Sequence, residues 1–259
     1  MYTIQTQMKI TINIAVAMTG NGGIGLKGGL PWPNLKDDMR LFSKRTTGSG
    51  YNAVIMGRNT WLSIPETRRP LKNRTNIIIS RNTELELTSS SHMMGRYPPG
   101  KRNTWMGIPE LEKRKRPIFS SKNESRAVEC YVFSSICDAL TDCENSGDYR
   151  DQDEIWVIGG SRIYNEFLNV HHDKVNRVYI TYVCPNRDRD GGGYECDTFI
   201  NIPPDSYLIE EKEYNTSENC YYLTCVHKMH VSDGSGMELL EDFIKGQEES
   251  DNSILHTDN

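Results

Sequence analysis

One carboxylate stands where an apolar side chain is expected. The stretch from Leu35 to Thr46 reads as a helix with the stripe Leu35, Met39 and Phe42 at i, i+4 and i+7, and the i+3 position of that stripe is Asp38. Burial of a carboxyl group favours its protonated form, so an acid on a covered face suits proton sharing near neutral pH or pairing with a buried cationic ligand. The competing reading puts Asp38 at the stripe's edge in a first turn, where an acid meets the helix dipole favourably. Asn34 is the expected N-cap, with Asp37 three residues on in a capping-box position.

Three strand ends repeat a second theme. Ala53-Val54-Ile55-Met56 runs into Gly57-Arg58-Asn59-Thr60, Ile77-Ile78-Ile79 into Ser80-Arg81-Asn82, and Trp156-Val157-Ile158 into Gly159-Gly160-Ser161-Arg162. Open α/β sheets bind ligands outside the carboxyl ends of their strands, where helix N-termini offer free N–H groups to anions. Arg58 and Arg81 have the chemistry to grip phosphates bidentately. A helix cap and a solvated arginine explain any one of these ends; the three together favour a phosphorylated dinucleotide. Gly20 to Gly29 contains G-x-G-x-x-G in two registers, but Pro31-Trp32-Pro33 prevents a helix from opening on the last glycine. These glycines therefore build a loop, either a lid over a cofactor or an irregular turn.

The six histidines fall outside these clusters, and the sequence holds no G-x-S-x-G, H-E-x-x-H or Walker pattern and no C-x-x-C among its seven cysteines. That argues against hydrolase, metalloprotease and phosphoryl-transfer chemistry. Free thiols and no metal are expected, and the remaining chemistry is redox with a bound cofactor.

Positioning these residues falls to alternating strands and helices. The strand candidates are Lys9 to Met18, Asn52 to Met56, Thr75 to Ser80, Glu129 to Phe133, Glu154 to Ile158, Val175 to Val183, Tyr207 to Tyr214 and Tyr221 to His230. Between them lie helical stretches at Leu35 to Thr46, Asn59 to Ile64, Ser135 to Cys143 and Ser161 to Asn169. Several strands are almost wholly apolar, as when both sheet faces are covered. The order predicts an α/β fold: a single domain with a mixed, mostly parallel eight-stranded sheet flanked by helices and an antiparallel C-terminal edge. No apolar run approaches the ~20 residues of a membrane helix, so a soluble protein without membrane contact is expected.

The 259 residues carry a formal net charge of -5 and are 36% hydrophobic, and this charge argues against a general nucleic-acid binder. Two segments break the rhythm. Residues 88–127 hold nine basic residues against three acidic ones with no sustained period, as in a functional or disordered insertion. Residues 232–259 hold eight acidic residues and Lys245 alone, which reads as a disordered, solvating tail in which only Met237 to Ile244 could be helical. The expected organisation is a catalytic domain over residues 9–230, with the basic insertion 88–127, and an acidic tail over 231–259.

Taken in order, these residues resemble dihydrofolate reductase in its eukaryotic, fungal-like, single-function form. The resemblance rests on Gly23-Ile24-Gly25 followed by Leu30-Pro31-Trp32, on Asp38, and on Val54-Ile55-Met56-Gly57-Arg58-Asn59-Thr60-Trp61. It continues through Ile64-Pro65, Arg69-Pro70-Leu71-Lys72-Asn73-Arg74, Ile158-Gly159-Gly160 with Tyr164, Thr181, and Asp197-Thr198-Phe199. It implies NADPH-dependent reduction of 7,8-dihydrofolate to tetrahydrofolate, in support of one-carbon metabolism, by a cytoplasmic monomer; mitochondrial and nuclear placement stay open.

The same resemblance implies roles. Asp38 would hold the pterin 2-amino group and N3, Thr181 would buttress its carboxylate, and Trp32 would help to fix a water. Ile14, Ala15, Met39, Phe42, Ile64, Leu71, Ile158 and Tyr164 would surround the pterin and benzoyl groups. Arg74 would pair with the α-carboxylate of the folate glutamate; Arg68 departs from the family, which often has a small polar residue there, and is expected to add a second cation near the glutamate. NADPH would lie on Ala17, Ile24, Gly25, Leu30, Gly57, Arg58, Asn59, Thr60, Ser80, Arg81, Asn82, Gly159, Gly160, Ser161, Arg162, Ile163 and Tyr164, with Arg81 near the 2′-phosphate and a cis peptide joining Gly159 to Gly160. The Gly20 to Gly29 loop would be the lid. Two other readings are a pyrimidine reductase of riboflavin synthesis, which shares the fold, and a non-catalytic NADPH or folate sensor.

Overall fold

The computed structural model describes residues 10–81, 130–145, 153–185, 193–234 and 236–255. The insertion 88–127 lies outside the described residues. In chain order the elements are β1 (Thr11–Met18), β2 (Gly23–Gly25), α1 (Lys36–Thr47), β3 (Ala53–Gly57), α2 (Arg58–Ser63), β4 (Thr75–Ile79), β5 (Cys130–Phe133), α3 (Ile136–Asn145), β6 (Glu154–Val157), α4 (Ser161–Asn169), β7 (Val175–Val183), β8 (Thr198–Phe199), β9 (Tyr207–Asn215), β10 (Cys220–His227), β11 (Glu238–Leu239) and α5 (Leu240–Leu255). The fold is mixed α/β, with parallel strands in its body and antiparallel strands at its C-terminal edge. Each expected strand and helix is found within a few residues of its predicted bounds. The chain divides into two compact units, one of Met1–Thr11 with Lys44–Trp156 and the other of Ile12–Ser43 with Val157–Asn259.

In the first unit β3, β4 and β5 run parallel, with Ile55 opposite Ile77 and Ile77 opposite Tyr131. The first four residues of β3 and of β4 and all of β5 are buried, which is why these strands read as continuous apolar runs rather than alternating ones. α3 turns Ile136, Ala139, Leu140 and Cys143 inward, the i, i+3, i+4, i+7 stripe of an amphipathic helix. The Asn52 side chain accepts the backbone N–H of Glu154 at 3.0 Å, which fixes the start of β6.

In the second unit β1 and β7 run parallel, with Ala17 opposite Thr181, and β10 lies antiparallel to both β7 and β9. α4 buries Ile163, Tyr164, Phe167 and Leu168. β2 and β8 form a separate antiparallel pair.

Apart from that pair the described residues form nine strands, one more than the eight expected; the addition is β11, which pairs with β9. It introduces the largest departure from expectation, because a strand and a sixteen-residue helix stand where a solvating tail was expected. Leu240 is fully buried and Phe243 nearly so, and the Phe243 ring meets Tyr182 and Tyr221 edge-on, each at 5.2 Å. Burying two large apolar side chains contributes roughly 3–6 kcal/mol, sufficient to anchor a helix whose other residues are mostly polar. All seven cysteines are free. Among the described residues no helix is long and apolar enough to cross a membrane.

Candidate active site

In the second unit the Thr181 hydroxyl, on β7, donates to Asp38 Oδ1 at 2.6 Å. Asp38 is half-buried. The helix differs from the expected one at its start: α1 opens at Lys36, and its first backbone bond runs from the Met39 N–H to the Leu35 carbonyl. The cap position therefore falls on Leu35, whose side chain accepts nothing, and not on Asn34. The orphan amides of the first turn find another acceptor, since the N–H groups of Asp37 and Asp38 donate to the two carboxylate oxygens of Glu218 at 2.7 and 3.0 Å. The apolar stripe is also not covered as expected. Leu35 is buried, but Phe42 is only half-buried and Met39 is 38% exposed.

Trp32 packs with Leu35 and Val183 in one core cluster that Ala17 and Tyr194 flank. Its indole N–H is buried with no hydrogen-bond partner, an orphan of the kind that a water or ligand normally satisfies. Ile14 is fully buried and Ile158 nearly so, while Ala15 and Ala17 are partly exposed. The Tyr164 hydroxyl donates to the Ala15 carbonyl at 2.7 Å, and burial first, then the charge of Asp38, pushes its pKa well above the ordinary value.

The Gly159–Gly160 peptide is cis, as the resemblance implies. Gly159 has φ +111°, and a Cβ there would lie 3.0 Å from the Tyr164 ring, so only glycine fits. Gly160 precedes α4 without a side-chain cap, which leaves the first N–H groups of Ser161, Arg162 and Ile163 for an anion; Arg162 is exposed and Ile163 buried.

The glycine loop is tied at its far side. β2 carries Ile24 and Gly25 against β8, and Asp197 Oδ2 accepts the N–H of Lys27, itself at φ +50°, at 2.7 Å. That bond, with a second from the Thr198 hydroxyl, holds the Asp197 carboxyl below its usual range. Leu30 is 54% exposed.

In the first unit Arg74 is buried, and burial lowers its pKa. Its Nη1 donates to the Thr46 hydroxyl at 2.5 Å and its Nε to the Lys72 carbonyl at 3.1 Å, leaving Nη2 for another acceptor. The loop before it is folded by Asn76, whose side chain accepts the N–H of Leu71 and donates to the carbonyls of Leu71 and Arg74, each at 3.0 Å. Ile64 and Leu71 are half-buried and Arg68 is exposed. Gly57 precedes α2 without a side-chain cap, Arg58 and Asn59 are exposed, and Thr60 is half-buried. Ser80 is buried and Arg81 exposed, while Asn82 lies outside the described residues.

Two residues have roles that the sequence did not reveal. Arg69 donates to the carbonyls of Trp61 and Leu62 and lies over the Trp61 ring, closing the C-terminus of α2. Glu218 sits in a polar turn 180 residues from the amide it accepts, and nothing in its local pattern points there. Among the described residues no group of His, Cys, Asp and Glu could hold a metal ion.

Residues 11–97 and 88–229 match a family described as dihydrofolate reductase. The chain is similar to the viral dihydrofolate reductase of Saimiriine herpesvirus 2, with 31% identity across 78% of this chain and 76% of that protein. It is similar to the dihydrofolate reductase of Mus musculus at 33% identity, over 73% of this chain and 78% of the other. For the dihydrofolate reductase of Aedes albopictus the figures are 28%, 78% and 85%. β11 and α5 lie beyond the matched stretch.

Proposed function

The chain is an enzyme of the dihydrofolate reductase family, and on that premise we propose that it reduces 7,8-dihydrofolate to tetrahydrofolate with NADPH through a catalytic domain spanning residues 9–230. One observation carries the assignment: a half-buried carboxylate, Asp38, held by the Thr181 hydroxyl and accompanied by the orphaned indole N–H of Trp32.

Asp38 would accept from the pterin 2-amino group and N3, two donors matching one carboxylate, while Thr181 keeps the carboxylate from rotating. Trp32 would orient a water, and protonation of pterin N5 from that water is favoured by the negative charge of Asp38. Apolar surface on Ile14, Ala15, Met39, Phe42, Ile64, Leu71, Ile158 and Tyr164 would bind the pterin and benzoyl rings. Arg74 would hold the α-carboxylate of the glutamate with its remaining Nη2, and Arg68 would add charge.

The residues present suit a phosphorylated dinucleotide. An uncapped helix N-terminus follows Gly160, and Arg58 and Arg81 are exposed cations. NADPH, when bound, supplies the hydride that reaches pterin C6. By the family resemblance the residues that would contact it are Ala17, Ile24, Gly25, Leu30, Gly57 to Thr60, Ser80 to Asn82 and Gly159 to Tyr164, with Arg81 meeting the 2′-phosphate. The Gly20 to Gly29 loop would exclude water as a lid. The purified chain mixed with NADPH and dihydrofolate is expected to consume nicotinamide absorbance in step with tetrahydrofolate formation. No turnover beyond an Asp38→Asn control would overturn the reading.

A further inference from the structure

We propose that Glu218 is a positioning residue for Asp38, capping the first turn of α1 from the β9–β10 turn so that the Asp38 carboxylate stays on Thr181. The assignment rests on the function proposed for Asp38. A helix N-terminus exposes N–H groups that a side chain normally satisfies, and the residue at the cap position here, Leu35, has no acceptor. Asp38 itself is the competitor: a carboxylate in the first turn readily folds back onto its own helix's amides. With Glu218 accepting the N–H groups of both Asp37 and Asp38, those amides are taken, and the Asp38 side chain is left to the Thr181 hydroxyl.

The turn that carries Glu218 is built to hold it. Asn215 Oδ1 accepts from Ser217 N, Ser217 Oγ and Glu218 N at 3.0, 2.7 and 3.2 Å. Asn219, at φ +50°, donates from Nδ2 to the Pro185 carbonyl and accepts the Cys184 N–H on its own carbonyl. The Tyr222 hydroxyl donates to Glu218 Oε2 and accepts from Asn215 Nδ2, both at 3.2 Å. Tyr222 lies directly opposite Thr181 in the β10–β7 register. The same strand thus fixes the acceptor for the Asp38 amide and borders the donor to its carboxylate.

The test is a double-mutant cycle on the full chain, with Glu218→Gln in wild-type and Asp38→Asn backgrounds, reading kcat and KM for dihydrofolate across pH and Kd for NADPH. In the wild-type background kcat/KM for dihydrofolate is expected to fall about tenfold, the size of a lost charge-assisted hydrogen bond, with NADPH affinity unchanged. The pH at which activity declines is expected to move down, because removing a neighbouring negative charge favours the ionised carboxylate. In the Asp38→Asn background the Glu218 change should cost nothing further. Equal losses in both backgrounds, or an unmoved pH profile, would overturn the assignment, whereas full turnover by Asp38→Asn alone would overturn the functional reading beneath it. Amide exchange on the unmodified chain is the check that needs no variant: protection at Asp37 and Asp38 is expected, and exchange at free-peptide rates would contradict the cap.

Discussion

Asp38 and Arg74 are the charged groups around which the two units organise their candidate chemistry, and they are held in contrasting ways. The partners of Asp38 are remote in sequence: Thr181 lies 143 residues away, and Glu218, which binds its amide, 180. Two of the three residues that organise Arg74 are near neighbours, Lys72 binding its Nε and Asn76 its carbonyl, and only Thr46 reaches it from 28 residues off. A guanidinium set by its own loop keeps its geometry wherever that loop folds. A carboxylate set by a distant hairpin acquires its geometry only when the C-terminal strands are paired.

The largest expected effect tests the remote arrangement. Asp38→Asn keeps the shape but removes the charge, and turnover with dihydrofolate at pH 7 is expected to fall by roughly a hundredfold or more, as for loss of a group that governs proton delivery. Arg74→Met tests the local one. It should raise KM for dihydrofolate about tenfold or more while changing kcat little, since under the proposed role the guanidinium would bind ground state and transition state alike. A kcat loss as large as that of Asp38→Asn would erase the distinction.

A smaller effect is expected at the glycine loop proposed as a lid. Asp197→Ala removes the acceptor for the Lys27 N–H, and the NADPH dissociation rate measured by stopped flow should rise roughly fivefold, about the worth of one hydrogen bond. The smallest concerns the hairpin's other end. The His227 pKa is held below its ordinary value by burial first, then by His172, His230 and Lys228, and its Nδ1 accepts the Met229 N–H. The unfolded chain therefore binds the proton more readily, so this contribution to stability is present above a pH of about 6.5 and is lost as pH falls through the folded value. Melting temperature should drop between pH 7 and 5, and His227→Gln should shrink that drop; an equal drop in both proteins would assign it elsewhere.

The contrast also explains what could be read from the sequence. Apolar runs such as Ile77-Ile78-Ile79 and the periodic face of α4 state their burial locally, and the bounds of β7 and α4 were legible to the residue. Asp38 stood out because it interrupts a stripe, although the face proved less covered than the stripe implied, with Met39 exposed and Phe42 half-buried. Glu218 was invisible because its partner amides are local to α1 and not to the turn that carries it. α5 was hidden for the same reason: the buried Leu240 and Phe243 outweigh an acidic composition, Phe243 by meeting the rings of Tyr182 and Tyr221, and composition does not report on partners so far upstream.

The proposed chemistry divides between Asp38 at the pterin and Arg74 at the glutamate. Steady-state kcat/KM measured for Asp38→Asn and Arg74→Met, each with dihydrofolate and with dihydropteroate, which shares the pterin and benzoyl groups but lacks the glutamate, tests that division directly. Asp38→Asn is expected to lose activity equally with both substrates, and Arg74→Met to lose it with dihydrofolate alone. Equal losses for Arg74→Met on the two substrates, or retained turnover by Asp38→Asn, would contradict it.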